Sequence, residues 1–387
     1  MNPLVLAAQR LVGRAPQADA APPAGVVLAL RAPGLSLDAV AGTRSPDGAP
    51  MTAATHHDLA SVTKVVATTT ALIRLVSDRL VGLEEPVRRF VPAFAGGGKD
   101  AVTVRDLLLH RGGLWEWWPL YVAARGDRDA ALRHAARLPL RYPPGRERHY
   151  SDLGFMLLGQ VVEAAAGQRL DTAVRALVTE PLGLAATRYG RPAGDEVATS
   201  ARGDDVEMAM LDTGHPYPVP HRAADFGRWR RGPISGEPND GNAHHALGGV
   251  SGHAGLFAPP ADLVGFATAL AGHAEHDRLW RPEVVEEFFA PGPDPGQSLG
   301  FRRYELAVGA EAVTLLGHPG FTGCAVGFVP GRGIALALAG CRLLADGPPV
   351  STDDLWAAAR AAAGEALTSA SNHPAPPRDP RTSTRNR

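Results

Sequence analysis

Cysteine is scarce in this chain, long apolar runs are missing and net charge is almost nil, and each shortage excludes something. Only Cys324 and Cys341 occur among 387 residues. Both lie in apolar, strand-like runs, and the GRG turn between them pairs those runs as a hairpin with the cysteines one residue out of step. Successive strand side chains point to opposite faces, so buried free thiols are expected rather than a disulfide. Free thiols suit a reducing compartment. No apolar run approaches the roughly 20 residues that span a bilayer. The start, MNPLVLAAQRLVGR, has no basic segment ahead of its short apolar stretch, Pro3 to Ala8, and so does not read as a secretory leader. A cytoplasmic protein without a membrane span is therefore expected. The formal net charge is −1, which gives no bulk attraction to nucleic acid or anionic membrane.

The composition that is present, 45% hydrophobic and 20% charged, is that of a globular protein. Residues 1–23 are rich in Ala and Pro and read as a flexible lead-in. Residues 369–387 are rich in Pro, Arg, Ser and Thr and read as a disordered tail. The folded domain is expected over 24–368. GVVLALRAP and LSLDAVAGT form a hairpin around a Pro-Gly turn. Strand patterns return after Phe301 in YELAVG, VTLLGH, CAVGFVP and GIALALAG, and DDLWAAARAAAGEAL closes the chain as a helix. The sheet thus draws on about 24–55 and 301–368, with a mostly helical region at about 85–245. Within that region VTVRDLLLHRGGL is a helix capped by Thr103 and ended by Gly112-Gly113, and 191–242 reads as long loops. The fold class is α+β, an antiparallel sheet flanked by helices plus a mostly helical subdomain.

The chain is organised around Leu59-Ala60-Ser61-Val62-Thr63-Lys64, at the mouth of a long apolar helix. Ser61 and Lys64 stand at i and i+3, on one helix face. A serine hydroxyl needs a neighbouring base to become a nucleophile. An ammonium on an apolar helix is desolvated, which lowers its pKa and makes the neutral amine accessible. A surface lysine near a capping serine is the plain alternative, and the motif alone does not decide. Tyr150, in the loop segment His149-Tyr150-Ser151-Asp152, could serve as general acid or base beside a lysine. Gly317-His318-Pro319-Gly320-Phe321-Thr322-Gly323 lies between two strands, where glycines allow a ligand close to the backbone. A backbone N–H there, with that of Ser61, could form an oxyanion hole.

Taken in order, S-x-x-K, Y-S-D and H-P-G form a specific pattern. Here the chain resembles the serine β-lactamase and penicillin-binding superfamily. It is most similar to the branch holding class C β-lactamases, DD-peptidases and β-lactamase-related esterases. HRGGL, EPLGLAATRYG and LGGVSGHAGLF resemble further motifs of that branch, over about residues 25–367. The resemblance implies a β-lactamase-like fold and a serine hydrolase without metal or cofactor. It implies Ser61 as the acylated nucleophile, Lys64 and Tyr150 as the groups that share its proton, and the N–H groups of Ser61 and Phe321 as the oxyanion hole. It further implies that Asp152 and His318 complete a hydrogen-bonded ring around Lys64 and Tyr150. Which of Lys64 and Tyr150 is the base stays open, because coupled groups titrate as a unit.

Three positions depart from the pattern. Asp152 replaces the usual Asn, so that a carboxylate can pair with Lys64 and oppose its desolvation. Pro319 removes a hydroxyl that would hold a substrate carboxylate. His318 replaces a lysine with a group largely neutral near pH 7. All three lean toward esters or other neutral acyl compounds and away from penicillins and D-alanyl peptides. Trp115 and Trp117, with Gly320, are candidates for substrate contact, although Trp115, Trp117 and Trp118 could equally be packing. His244, His245 and His253 lack the companions of a zinc site, and no metal is expected. Gly249-Val250-Ser251-Gly252-His253 falls short of G-x-S-x-G. Acyl transfer to a small acceptor, β-lactamase or D-alanyl-D-alanine carboxypeptidase activity, and a catalytically silent ligand-binding homologue are the competing readings. The expected partner is a small acyl substrate.

Overall fold

The computed structural model describes residues 2–13, 20–276 and 278–372. Strands β1 (Gly25–Ala32) and β2 (Leu35–Gly42) form the expected hairpin, with Ala32 opposite Leu35. Five short strands follow: β3 (His57–Asp58), β4 (Arg188–Tyr189), β5 (Thr199–Ala201), β6 (Ile234–Ser235) and β7 (Leu256–Ala258). Four longer ones close the set: β8 (Arg302–Val308), β9 (Glu311–Pro319), β10 (Ala325–Val329) and β11 (Ile334–Gly340). The principal sheet is antiparallel, in the order β2-β1-β11-β10-β9-β8. Both halves of the chain therefore meet in one sheet, joined where Val26 pairs with Gly340 and Leu30 with Leu336.

Both faces of this sheet are covered, which is why its central strands are continuously apolar rather than alternating. On β11, Ile334, Leu336 and Leu338 join the cluster that holds the terminal helices Pro3–Gly13 and Thr352–Asn372. Ala335, Ala337 and Ala339 face the larger core, where the helix Pro260–Ala271 packs on the sheet. Small alanines there let the helix axis approach closely. A third cluster, built on Trp117, Leu120, Tyr121, Leu132 and Leu211, is the core of the helical region. The helix Asp152–Ala166 belongs to both, giving Phe155 and Leu158 to the main core and Leu153 and Met156 to the helical one. It fixes the two regions against each other.

Several expectations differ from the structure. Part of the 1–23 lead-in is an ordered helix, Pro3–Gly13. Leu4 and Ala8, four residues apart on one face, are fully buried against the sheet. Proline at the first helical position suits that start; the Ala/Pro content hid the helical period. The closing helix runs to Asn372, into the expected tail, and 373–387 lie outside the described residues. The 191–242 segment holds a helix, Asp205–Thr213, and the β5–β6 pair. Cys324 and Cys341 are both free and buried. Extending the Ala325–Leu338 register by one puts Ala339 opposite Cys324, so the cysteines are two residues out of step rather than one.

Replacing Leu4 by Ala should destabilise the protein by about 2–4 kcal/mol, as cavity-forming core substitutions do. Urea denaturation measures it; a freely flexible N-terminus would give no change in midpoint.

Candidate active site

The segment before Ser61 is held in an uncommon conformation. Ala60 has φ of 45°, in the left-handed region that a residue with a side chain avoids. Asp58 sustains it: its buried carboxylate accepts from Ala60 N at 2.9 Å and Asn239 N at 2.6 Å. Burial pushes the Asp58 carboxyl up to about 6. From Lys64 to Thr69 the helix is wound as a π-helix, a departure that recurs at functional sites.

Lys64 is fully buried. Its ammonium donates to Ser61 Oγ at 2.8 Å, to Asp152 Oδ1 at 2.7 Å and to the His253 carbonyl at 3.3 Å. Three donors thus meet three acceptors. Burial alone would lower the Lys64 pKa, but the Asp152 carboxylate and the Tyr150 phenol outweigh it, and the net shift is upward. This overturns the expectation of a lysine depressed by its apolar helix: Asp152 reverses the sign.

Asp152 begins the helix Asp152–Ala166, capped by Ser151, whose hydroxyl accepts from Gly154 N and donates to the Trp115 carbonyl. The Ser151 N–H donates to His110 Nδ1 at 3.0 Å, which fixes the turn carrying Tyr150. The centre of the Tyr150 ring lies 5.0 Å from Lys64 Nζ, 5.5 Å from the Arg302 guanidinium and 4.6 Å from the His110 ring. The turn 249–255 supplies the third lysine ligand. Gly252 packs so closely on the Phe155 carbonyl that a Cβ would not fit, and Thr68 Oγ1 binds the Gly252 carbonyl at 2.7 Å. Ser251 Oγ meets His253 Nδ1 at 2.7 Å and His253 Nε2 meets Asp240 Oδ1 at 3.0 Å. This has the look of a second Ser-His-Asp triad, but Ser251 is buried and does not border the cavity that Asp240 lines. It acts as a brace that aims the His253 carbonyl at Lys64.

Ser61, Trp117, Tyr150, Asp152, His318, Gly320 and Phe321 border one cavity of about 530 Å³. The N–H groups of Ser61 and Phe321 donate to no other protein group among the described residues. His318 does not close the expected ring. Its Nδ1–H donates to the Pro319 carbonyl at 2.7 Å, and its ring faces Tyr150 at 5.8 Å without bonding Lys64. Burial, with the charges of Arg302 and Lys64, holds the imidazole well below its usual pKa. Trp115 is not in the cavity either. Its indole N–H needs an acceptor and finds the Pro139 carbonyl at 3.1 Å, and its ring packs on Trp118 and Arg141. Trp117 does line the wall and is nearly buried. Of the three histidines weighed for metal, His245 pairs with Asp204 and His253 with Asp240, while His244 sits 3.7 Å from Glu237. Asp152, Asp240 and His253 do offer ligand atoms within 4.8 Å of one another. The cation at that cluster is internal, the Lys64 ammonium 2.7 Å from Asp152.

The profile described as "Beta-lactamase" matches residues 14–364, and the chain belongs to that family. It is accordingly a serine hydrolase of the β-lactamase and penicillin-binding protein type. Over 316 residues it is 31% identical to an N-acetylmuramyl-L-alanine amidase of Bacillus subtilis (strain 168), covering 75% of this chain and 68% of that protein. It is 31% identical over 293 residues to an Escherichia coli (strain K12) protein provisionally named a D-alanyl-D-alanine carboxypeptidase, covering 70% of this chain and 65% of that one. The solved structure of EstCE1, described as a hydrolase with promiscuous acyltransferase activity, superposes with a TM-score of 0.68 at 22% identity, covering 94% and 97% of the two chains. No helix among the described residues is long and apolar enough to cross a membrane.

Replacing Asp152 by Asn removes the negative charge 2.7 Å from Lys64 Nζ. Deprotonation of Lys64 becomes easier, because the carboxylate no longer offsets its burial. The acidic limb of the kcat/KM–pH profile should move to lower pH by about 1 unit; an unmoved limb would show that Lys64 does not carry it.

Proposed function

We propose that the chain cleaves carboxylic esters or related neutral acyl compounds through an acyl-enzyme on Ser61. The observation that carries this is Ser61 Oγ at 2.8 Å from Lys64 Nζ, on the wall of a cavity where two backbone N–H groups have no partner among the described residues. Ser61 Oγ adds to the substrate carbonyl carbon and passes its proton to the Lys64–Tyr150 pair. The negative oxygen that forms is met by the N–H groups of Ser61 and Phe321. The pair returns the proton to the leaving alcohol as the C–O bond breaks. Water then repeats the sequence in reverse to free Ser61 and the acid.

The preference for neutral substrates rests on the cavity wall. Pro319 offers no hydroxyl, and His318 is held neutral. Four carboxylates line the cavity (Asp152, Asp204, Asp240 and Asp353) against two guanidinium groups, and a fifth acidic group, Glu207, is pushed up to about 8 by burial and the nearby Asp240 charge. Arg302 lies 3.8 Å from Asp353, and Arg342, which keeps its charge, has its Nε and Nη1 donors engaged by backbone carbonyls. Trp117, Val206, Met210 and Phe321 give the acyl or aryl group apolar surface. The relatives named for amide and D-alanyl cleavage define the competing substrate class, and the acyltransferase activity of EstCE1 favours acyl transfer as a second outcome for the same intermediate. Two free, buried thiols support a cytoplasmic setting.

Intact-mass measurement after a fluorophosphonate probe should show one adduct, mapped to Ser61 and lost in Ser61→Ala; no adduct would favour a silent ligand-binding protein. Short p-nitrophenyl esters should acylate faster than a chromogenic cephalosporin, and the reverse order would refute the ester preference.

A further inference from the structure

Arg342 follows β11 and is only 7% exposed. Buried arginines ordinarily pair with a carboxylate; this one has none within ion-pair distance among the described residues. Its guanidinium instead donates to two carbonyls, Phe321 at 2.9 Å through Nε and Val350 at 3.0 Å through Nη1. Its own backbone N–H donates to the Thr322 carbonyl at 3.2 Å. The guanidinium also lies over the Phe321 ring, 4.7 Å from its centre. Burial pushes the Arg342 pKa down to about 10, leaving it charged at neutral pH.

These contacts converge on one short turn. The peptide that carries the Phe321 N–H is Gly320–Phe321, and its carbonyl accepts from Thr352 Oγ1 at 3.1 Å. A peptide is planar, so holding the C=O end directs the N–H end the opposite way. Arg342 holds the next carbonyl along. Thr322 Oγ1 ties the turn to the Asp58 carbonyl at 2.7 Å, just ahead of Ser61. Gly323 sits at φ 105°, and a Cβ there would lie 2.9 Å from Arg342 Cβ, so the turn is shaped around the arginine. Arg342 also borders the cavity that holds Ser61.

We infer that Arg342 is a positioning residue for the oxyanion hole: it fixes the Phe321–Thr322 peptide so that the Phe321 N–H meets the reacting carbonyl oxygen, and its uncompensated charge favours the negative oxygen that forms. This rests on the acyl-enzyme reading. A buried cation without a counter-ion is expensive to maintain, and here its field falls where negative charge develops during the reaction. A preorganised charge of that kind acts on the transition state and not on the bound ester. Its loss should therefore appear in kcat rather than in KM.

The test uses the full chain, with sites counted by fluorophosphonate titration so that misfolded protein is not scored. For Arg342→Met, kcat per titrated site on a p-nitrophenyl ester should fall by about 10- to 100-fold, with KM changed less than about threefold. The inhibition constant of phenylboronic acid, which forms a tetrahedral adduct on serine, should rise in parallel with the loss. Arg342→Lys, which keeps the charge, should recover at least about tenfold of it where the loss is that large. Should the Met variant not fold, Arg342→Gln is read the same way, with at least a ~5-fold fall in kcat expected. A kcat per titrated site within twofold of the unaltered protein, or a loss carried wholly by KM, overturns the inference. An unaltered protein that takes no label overturns the acyl-enzyme reading and this inference together; a labelled protein with an unaffected variant overturns this inference alone.

Discussion

Everything at the site depends on burying the charge of Lys64. An ammonium removed from water is tolerable only if its three N–H groups are all accepted. The acceptors come from three separate segments: Ser61 from its own helix turn, Asp152 from the start of the helix Asp152–Ala166, and the His253 carbonyl from the turn before β7. Only Ser61 is close to Lys64 in sequence. The requirement to satisfy one lysine therefore sets the position of the helical region against the sheet region, and the Ser61 hydroxyl is placed as a consequence.

Close packing delivers those acceptors. The Gly252 backbone rests on the Phe155 carbonyl, and Thr68 binds the Gly252 carbonyl. Both contacts tie the turn to helices of the main core, so the His253 carbonyl inherits the rigidity of that core. The chain Ser251–His253–Asp240 locks the imidazole, and with it the peptide that reaches Lys64. On the other side, Asp58 does two jobs from one position. Its carboxylate holds the left-handed Ala60, and its carbonyl accepts from Thr322 in the turn after β9. The turn that carries Ser61 and the candidate oxyanion turn are thus both tied to Asp58.

What the sequence made legible was whatever shows as local pattern. The hairpin β1–β2, the strands β8 to β11 and the long closing helix follow from apolar runs and turn residues. Ser61, Lys64 and Tyr150 stand out because reactive side chains occur at motif spacing, and the structure brings all three to one place. Contacts that depend on long-range geometry were not legible. Nothing local says that Asp152 would outweigh burial at Lys64, that Trp117 and not Trp115 would face the cavity, or that His318 would spend its N–H on Pro319. Asp58, Asp240 and Arg342 carry no motif at all. One signal was available and is compositional: of 39 basic residues only Lys64 and Lys99 are lysine. In a chain that otherwise uses arginine, a lysine marks a place where a proton must be able to leave, or where only a slim stem fits. Lys99, which donates to the Ala136 carbonyl, is the second case.

The three acceptors around Lys64 suit more than one protonation state. As an ammonium, Lys64 donates to all three. As a neutral amine it can still donate to Asp152 and to the His253 carbonyl, while its lone pair accepts the Ser61 hydroxyl proton across the same 2.8 Å. Only the direction of one hydrogen bond reverses, and no heavy atom has to move. A site arranged in this way meets the proton transfer without reorganising at the moment of reaction. The charge on Asp152 then decides how often the amine is present, because a carboxylate stabilises the ammonium where an amide would not. Placing a carboxylate at that position trades resting reactivity for a firmly held lysine. The proposed preference for esters fits that trade, because an alkoxide leaves with less help from a proton donor than an amine does.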